Sequence, residues 1–357
     1  MKRVSMKDIA THVGCSIASV SKVVNESRGS TWVGEELRDR IRQAALELGY
    51  YANISAQALQ ANRALGVGVV VRASGEETRL TGGFSTALIS GVEMEVRQRG
   101  LALTLIGEPA GEESGATAIR YLAQGRVDAL VGVPAESRDF VTRLDALSGP
   151  MIWAAAPGNY RQPNVVLDPE PGLAAGLQHL VEHGHRSICL LGDWGEDRVQ
   201  DQALPARLKF CQEWLAAAGI GSVSPPVVTG REGAWPDWWK NMLERGRQTI
   251  LRIYRDKKGS APTAVFALTE VIGQGALYGL LELGKRIPEE VSLLGFGNVR
   301  SQLFLPPLTS VSQELSLIGR RAASLALEKL EGRTFPAGFV ETIPSRLVVR
   351  ESVGRAG

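Results

Sequence analysis

From Val67 to Gly295, short apolar runs alternate with amphipathic stretches, and this rhythm constrains the fold more than any other feature of the chain. Val67–Val71, Leu101–Ile106, Ala129–Val133 and Met151–Ala155 read as strands, as do Ile188–Leu191, Ala264–Leu268 and Ser292–Gly295. Between them, Leu88–Arg99, Ala116–Gln124, Ala174–Glu182, Leu208–Ala218 and Gln274–Leu283 carry apolar residues at helical spacing. Such alternation predicts parallel sheets with helices on both faces. The stretch 67–357 is long for one hydrophobic core, so two α/β lobes are expected.

The first 65 residues read differently. They hold nine Lys and Arg against six acids, a net of +3 in a chain whose total is +2, which suits a module that faces phosphates. Ser5 and Asp8 form a capping box ahead of a short helix with Met6, Ile9, Ala10 and Val13 on one face. Gly14 breaks that helix. Ser16 caps a second helix, with Val20, Val23 and Val24 inward and Asn25 expected to stop it in a left-handed conformation. A third helix is expected over 35–48, with Leu37, Ile41, Ala44, Ala45 and Leu48 inward and Gly49 beyond its end. Three short helices with a tight turn between the first two predict a helix-turn-helix headpiece over 1–50. Residues 51–66 are too polar for a core and read as a linker with one short helical turn.

The composition excludes several classes. Cys15, Cys189 and Cys211 are too few and too far apart for a disulfide framework or a zinc site. No apolar run approaches the ~20 residues of a membrane span. The polar N-terminus does not read as a signal peptide, so a cytoplasmic protein is expected. No nucleophile triad, phosphate-binding loop or metal-ligand spacing argues for an enzyme, a metal or a cofactor. His179, His183 and His185 cluster at a helix end and read as structural.

MKDIATHVGCSIASVSKVVN and LELGYYANISAQAL resemble the headpiece and linker of the LacI/GalR family of bacterial transcriptional regulators. HLVEHGHRSICLLG, GLLELGKRIPEEVSLLGFGN and PPLTSVSQELSLIGRRAASLALEKLEG resemble its core in order and spacing. The resemblance implies a homodimer on double-stranded palindromic operator DNA and a periplasmic-binding-protein-like effector core over 67–357. In it, the first subdomain is expected at about 67–160 and 315–332, the second at about 161–314 and 333–357. No heptad helix follows RLVVRESVGRAG, which fits a dimer rather than a tetramer.

The outward positions of the second helix are Ile17, Ala18, Ser21 and Lys22, and the resemblance places Ile17, Ala18 and Lys22 at base edges. Lys22 can donate to guanine O6/N7, and Ile17 and Ala18 can pack on a thymine methyl. Ser5, Ser16, Ser19, Asn25 and Tyr50 are the phosphate-positioning candidates. The loop 28–33 is longer than is usual in the family, and its Trp32 is expected to pack over the headpiece core. In the linker the family wedges a leucine into the minor groove; Leu59 fits that role, flanked by Asn53, Ala56 and Gln60. A hinge helix this short is marginal alone, so the resemblance implies that it forms only when two copies pair on DNA.

In the sensor cleft the chain departs from the family pattern. Sugar-binding relatives carry Asn-Asp where this chain has Thr269-Glu270, and Gly-aromatic-Asp-Asp where it has Gly295-Phe296-Gly297-Asn298. Gly297 thus replaces a carboxylate that would accept sugar hydroxyls. Arg207 matches the family's ligand-contacting arginine and Trp235 an aromatic of some sugar sites; Arg72, Trp153 and Trp194 follow strands expected to end at the cleft. Arg72 also has Glu76 and Glu77 near it as salt-bridge partners. Loss of acceptors with retention of a guanidinium points to a small-molecule effector of the carbohydrate-derivative class, anionic or partly apolar rather than a neutral hexose. The alternative is a regulator of the same fold controlled by a protein co-regulator.

Overall fold

The computed structural model describes residues 4–25, 32–52, 63–64, 66–74, 77–78, 83–108, 115–133, 138–156, 158–192, 203–220, 222–223, 238–256 and 261–357. The chain divides into two compact units, Met1–Leu65 and Gly66–Gly357.

Among the described residues the first unit comprises α1 (Met6–Val13), α2 (Ile17–Val24) and α3 (Glu35–Glu47). Ser5 and Asp8 close the capping box, with Ser5 N donating to Asp8 Oδ2 at 2.8 Å. Gly14 takes φ 75°, the left-handed region that glycine enters without penalty, and so turns the chain tightly into α2. Ser16 caps α2 by accepting from Ser19 N at 3.1 Å. Asn25 ends α2 at φ −97° and not in the expected left-handed conformation. Its N–H still bonds Ser21 O and its side-chain amide donates to Ser21 Oγ at 3.2 Å, so the stop needs no backbone reversal. Ile9, Val13, Val20, Val23 and Ile41 form the core, and Arg40 ties α3 to α1 through Val13 O at 2.8 Å.

The second unit contains two sheets. Its first half comprises β1 (Gly66–Ser74), β2 (Glu77–Thr78), α4 (Gly83–Gln98), β3 (Ala102–Glu108), α5 (Ala116–Ala123), β4 (Ala129–Gly132), α6 (Arg138–Asp145), β5 (Met151–Ala154) and β6 (Asn164–Asp168). Then follow α7 (Glu170–Glu182), β7 (Ile188–Leu191), α8 (Ala203–Ala217), β8 (Ser222–Val223), α9 (Trp238–Asp256), β9 (Ala264–Ala267), α10 (Glu270–Glu282) and β10 (Ser292–Gly297). The chain closes with β11 (Thr309–Ser312), α11 (Leu315–Leu330), β12 (Val340–Pro344) and β13 (Arg346–Val348). The first sheet runs β3-β1-β4-β5-β6-β12, all parallel, with β2 antiparallel on the end of β1. The second runs β8-β7-β9-β10-β11-β13, parallel except for β13. Residues of β4, β5, β7 and β9 are buried throughout, as central strands covered by helices on both faces must be.

The expected subdomain boundaries need correction. β6 and β12 belong to the first sheet, so the first lobe comprises 66–168 and 315–344 and the second 170–312 and 346–357. Both strands mix polar and apolar residues and could edge either sheet. Pairing decides: Trp153 stands opposite Asn164, and β12 lies along β6 from Val340 to Pro344. The chain crosses between lobes three times, at residues 169, 313–314 and 345. Buried Ser345 stitches two crossings, its N–H donating to Asp168 O at 2.8 Å and its hydroxyl to Pro169 O at 2.9 Å. Arg346 Nε meets Glu314 Oε1 at 2.7 Å beside the third. Among the described residues no helix is long and apolar enough to cross a membrane.

Candidate DNA-reading surface and effector cleft

In α2 the buried stripe Val20–Val23 fixes which face is left over. Ile17 is 50% exposed and Ala18 is exposed, with Ser21, Lys22 and Asn25 half-buried one turn further along. These are the positions that a helix-turn-helix directs at DNA. Ser16 and Ser19 hydroxyls lie 2.9 Å apart, and Ser5 Oγ donates to Asp8 Oδ2 at 2.7 Å; all three serines serve as local caps or cap partners. Tyr50 packs partly against the headpiece core. Trp32 does not pack over that core: it is 87% exposed, its ring over Gly34, because Val33 takes the buried position next to it. Asn53, Ala56, Leu59 and Gln60 lie outside the described residues.

The effector candidates separate into two groups. Arg207, Thr269 and Gly297 come together at the C-terminal edge of the second sheet, where ligands of open parallel sheets bind. The Arg207 guanidinium stacks on the ring of buried Phe296 at 4.0 Å and donates to Leu268 O at 3.4 Å. Thr269 caps α10 by accepting from Ile272 N. Gly297 ends β10 at φ 138°.

Trp153 belongs elsewhere, and its assignment to the cleft is corrected. Its side chain is fully buried in the first lobe, against Phe140 and Tyr160 at ring-centroid distances of 6.1 and 5.3 Å. Its indole donates to Asp145 Oδ1 at 3.1 Å. The face of β5 that carries Met151 and Trp153 looks into that core, and Gly132 on β4 leaves the room; a Cβ there would come within 2.6 Å of the indole. For Arg72 the backbone alone is described, two residues before the end of β1 and in register with Glu108 of β3. Trp194 and Trp235 lie outside the described residues.

The residue that sequence reasoning undervalued is Glu270. Its carboxylate accepts from Val299 N at 3.1 Å, Arg300 N at 3.0 Å and the Ser301 hydroxyl. A Cβ on Gly297 would lie 3.2 Å from Glu270 Cβ, so the glycine leaves the Glu270 side chain uncrowded. The available signal was the coupled departure itself, Glu for Asp at 270 and Gly for Asp at 297. Nearby, Arg350 donates to Asn298 Oδ1 and Leu308 O, both at 2.7 Å.

Residues 5–53 match the family described as bacterial regulatory proteins, lacI family, and residues 177–353 match the periplasmic binding protein-like domain. The chain belongs to the LacI/GalR family. This LacI/GalR protein is a DNA-binding transcriptional regulator. It is 26% identical to the HTH-type transcriptional repressor PurR of Vibrio vulnificus (strain CMCP6), over 98% of each chain. Its fold is similar to that of the lac repressor dimer bound to operator and the anti-inducer ONPF, with a TM-score of 0.70 and 24% identity over 99% of this chain and 100% of that one. The complex of the transcriptional regulator CelR with cellobiose superimposes with a TM-score of 0.64 and 26% identity, over 98% of this chain and 100% of that one.

Proposed function

We propose that this regulator is a cytoplasmic repressor that reads a palindromic operator as a homodimer and responds to a small molecule held beside Arg207. The observation that carries the reading is the uncovered edge of α2, with Ile17 half exposed and Ala18 beside it on a helix anchored by Val20 and Val23. Two copies related by a two-fold axis present two such edges to two half-sites. Lys22 reads guanine, Ile17 and Ala18 take a thymine methyl, and Ser21 lies on the same face. Ser5, Ser16, Ser19, Asn25 and Tyr50 set register on phosphates. Leu59, with Asn53, Ala56 and Gln60 around it, unstacks the central base step. Leu303 and Leu305, 74% and 81% exposed on one short segment, support pairing with a second copy, as does the dimeric state of the lac repressor neighbour. Selection of bound DNA from a random pool with the full chain tests this. A two-fold symmetric site with a deformable central pyrimidine–purine step is expected. A site without symmetry, or a monomer by light scattering, overturns it.

For the effector, the edge at Arg207, Thr269 and Gly297 offers a guanidinium in a fork that suits carboxylate or phosphate. Glu270 spends its carboxylate on three donors of its own chain, leaving little to accept hydroxyl protons. A carbohydrate derivative bearing an acid group fits this edge better than a neutral hexose, with Arg72 and Trp235 as further lining. The effector then shifts DNA binding to the extent that it prefers one closure state of the lobes. Calorimetry on the full chain with matched neutral and acidic sugars is the check. Tight binding of a neutral sugar that survives Arg207→Ala refutes the assignment.

A further inference from the structure

The segment Asn298–Ser301, which leaves the second lobe at the end of β10, reaches the first lobe. Val299 packs against the first lobe's core cluster alongside Phe84 and Ala87 of α4. The approach is close enough that a Cβ on Gly83, the first residue of α4, would overlap Val299 Cγ1 and lie 3.3 Å from Val299 Cβ. The turn that presents Val299 is built from the second lobe. Glu270 holds the amides of Val299 and Arg300 and the hydroxyl of Ser301, and Arg350 holds the side chain of Asn298, whose φ of 54° sharpens the turn.

These contacts form one chain of cause. Gly297 gives Glu270 its space, Glu270 gives the turn its shape, and the turn sets Val299 into the gap that only a glycine at 83 leaves. We propose that Asn298–Ser301 is an interlobe latch, with Glu270 as its positioning residue and Gly83 as its keeper. The latch begins at the residue after Gly297, so a ligand at the Arg207–Gly297 edge bears directly on it. That last step rests on the effector reading above, whereas the latch itself does not.

Hydrogen exchange of the full chain without ligand separates the latch from a merely local role. Gly83 lies outside the left-handed region and starts its helix, where alanine favours the helix. Helix propensity alone therefore predicts that Gly83→Ala slows exchange over Phe84–Val92. The latch predicts the opposite: exchange faster by roughly tenfold both there and over Asn298–Phe304, on the other lobe. Adding Val299→Ala removes the overlapping methyl and returns both segments toward wild type. Glu270→Gln is expected to accelerate both segments, because an amide offers one acceptor oxygen where the carboxylate offers two. Exchange over α1–α3 serves as the internal reference. Slower or unchanged exchange over Phe84–Val92 in Gly83→Ala, no recovery in the double variant, or an effect of Glu270→Gln confined to Asn298–Phe304 overturns the proposal.

Discussion

At the residue scale, Trp153 and Arg207 show how differently two candidates of one site can be used. Trp153 fills the first lobe's core and bonds Asp145, so its removal costs stability. Trp153→Ala is expected to lower unfolding free energy by about 3–5 kcal/mol, read by urea denaturation. Arg207 lies over Phe296 at the sheet edge and bonds Leu268 O, so the core gains far less from it than from Trp153. For Lys22 the expectation concerns discrimination. Lys22→Ala should cost about 1–3 kcal/mol at one operator base pair and little elsewhere, measured by binding to the selected site and its single-base variants. An equal loss on every sequence assigns Lys22 to a phosphate.

At the scale of elements, caps and close helix approaches do the positioning. Ser16 accepts from Ser19 N at the start of α2, so Ser16→Ala is expected to destabilise the headpiece by about 1 kcal/mol in thermal unfolding. Helices α4 and α11 meet at Gly91 and Gly319, where a Cβ on Gly319 would overlap Leu88 O and one on Gly91 would overlap Ser316 O. Alanine at position 319 gains helix propensity yet forces two backbones apart. The overlap with a carbonyl outweighs the gain, and Gly319→Ala is expected to destabilise by about 1–3 kcal/mol in the same assay.

At the scale of the whole molecule, His185 joins distant parts of the second lobe. Its ring bonds Thr263 Oγ1 and Ser292 Oγ, each at 2.9 Å, and Gly354 O at 3.0 Å. Burial pushes its pKa below the ordinary 6.5, and burial does the same to His179. The unfolded chain therefore takes up these protons first as the pH falls, and stability drops from about pH 6.5 downward. Above that value both rings are neutral in either state and the contribution is fully present. His185→Gln, which cannot titrate, is expected to flatten the fall in melting temperature between about pH 6.5 and 5.

Much of this was legible in the residues alone. Helical spacing in Met6–Val13 and Ile17–Val24, the Ser5–Asp8 box and Gly14 determine the headpiece, because caps and amphipathic stripes act over one or two turns. Apolar runs such as Ala129–Gly132 and Ala264–Ala267 likewise determine that central parallel strands exist. Only the tertiary structure decided which sheet takes β6 and β12, since a short strand of mixed polarity carries no mark of its partner. It also decided that Trp153 faces a core and that Trp32 stays in solvent, because burial depends on what other segments leave room for. The same holds for Glu270, which reads as an ordinary substitution until Gly297 and Gly83, far apart in sequence, are seen to leave the space its turn and Val299 occupy.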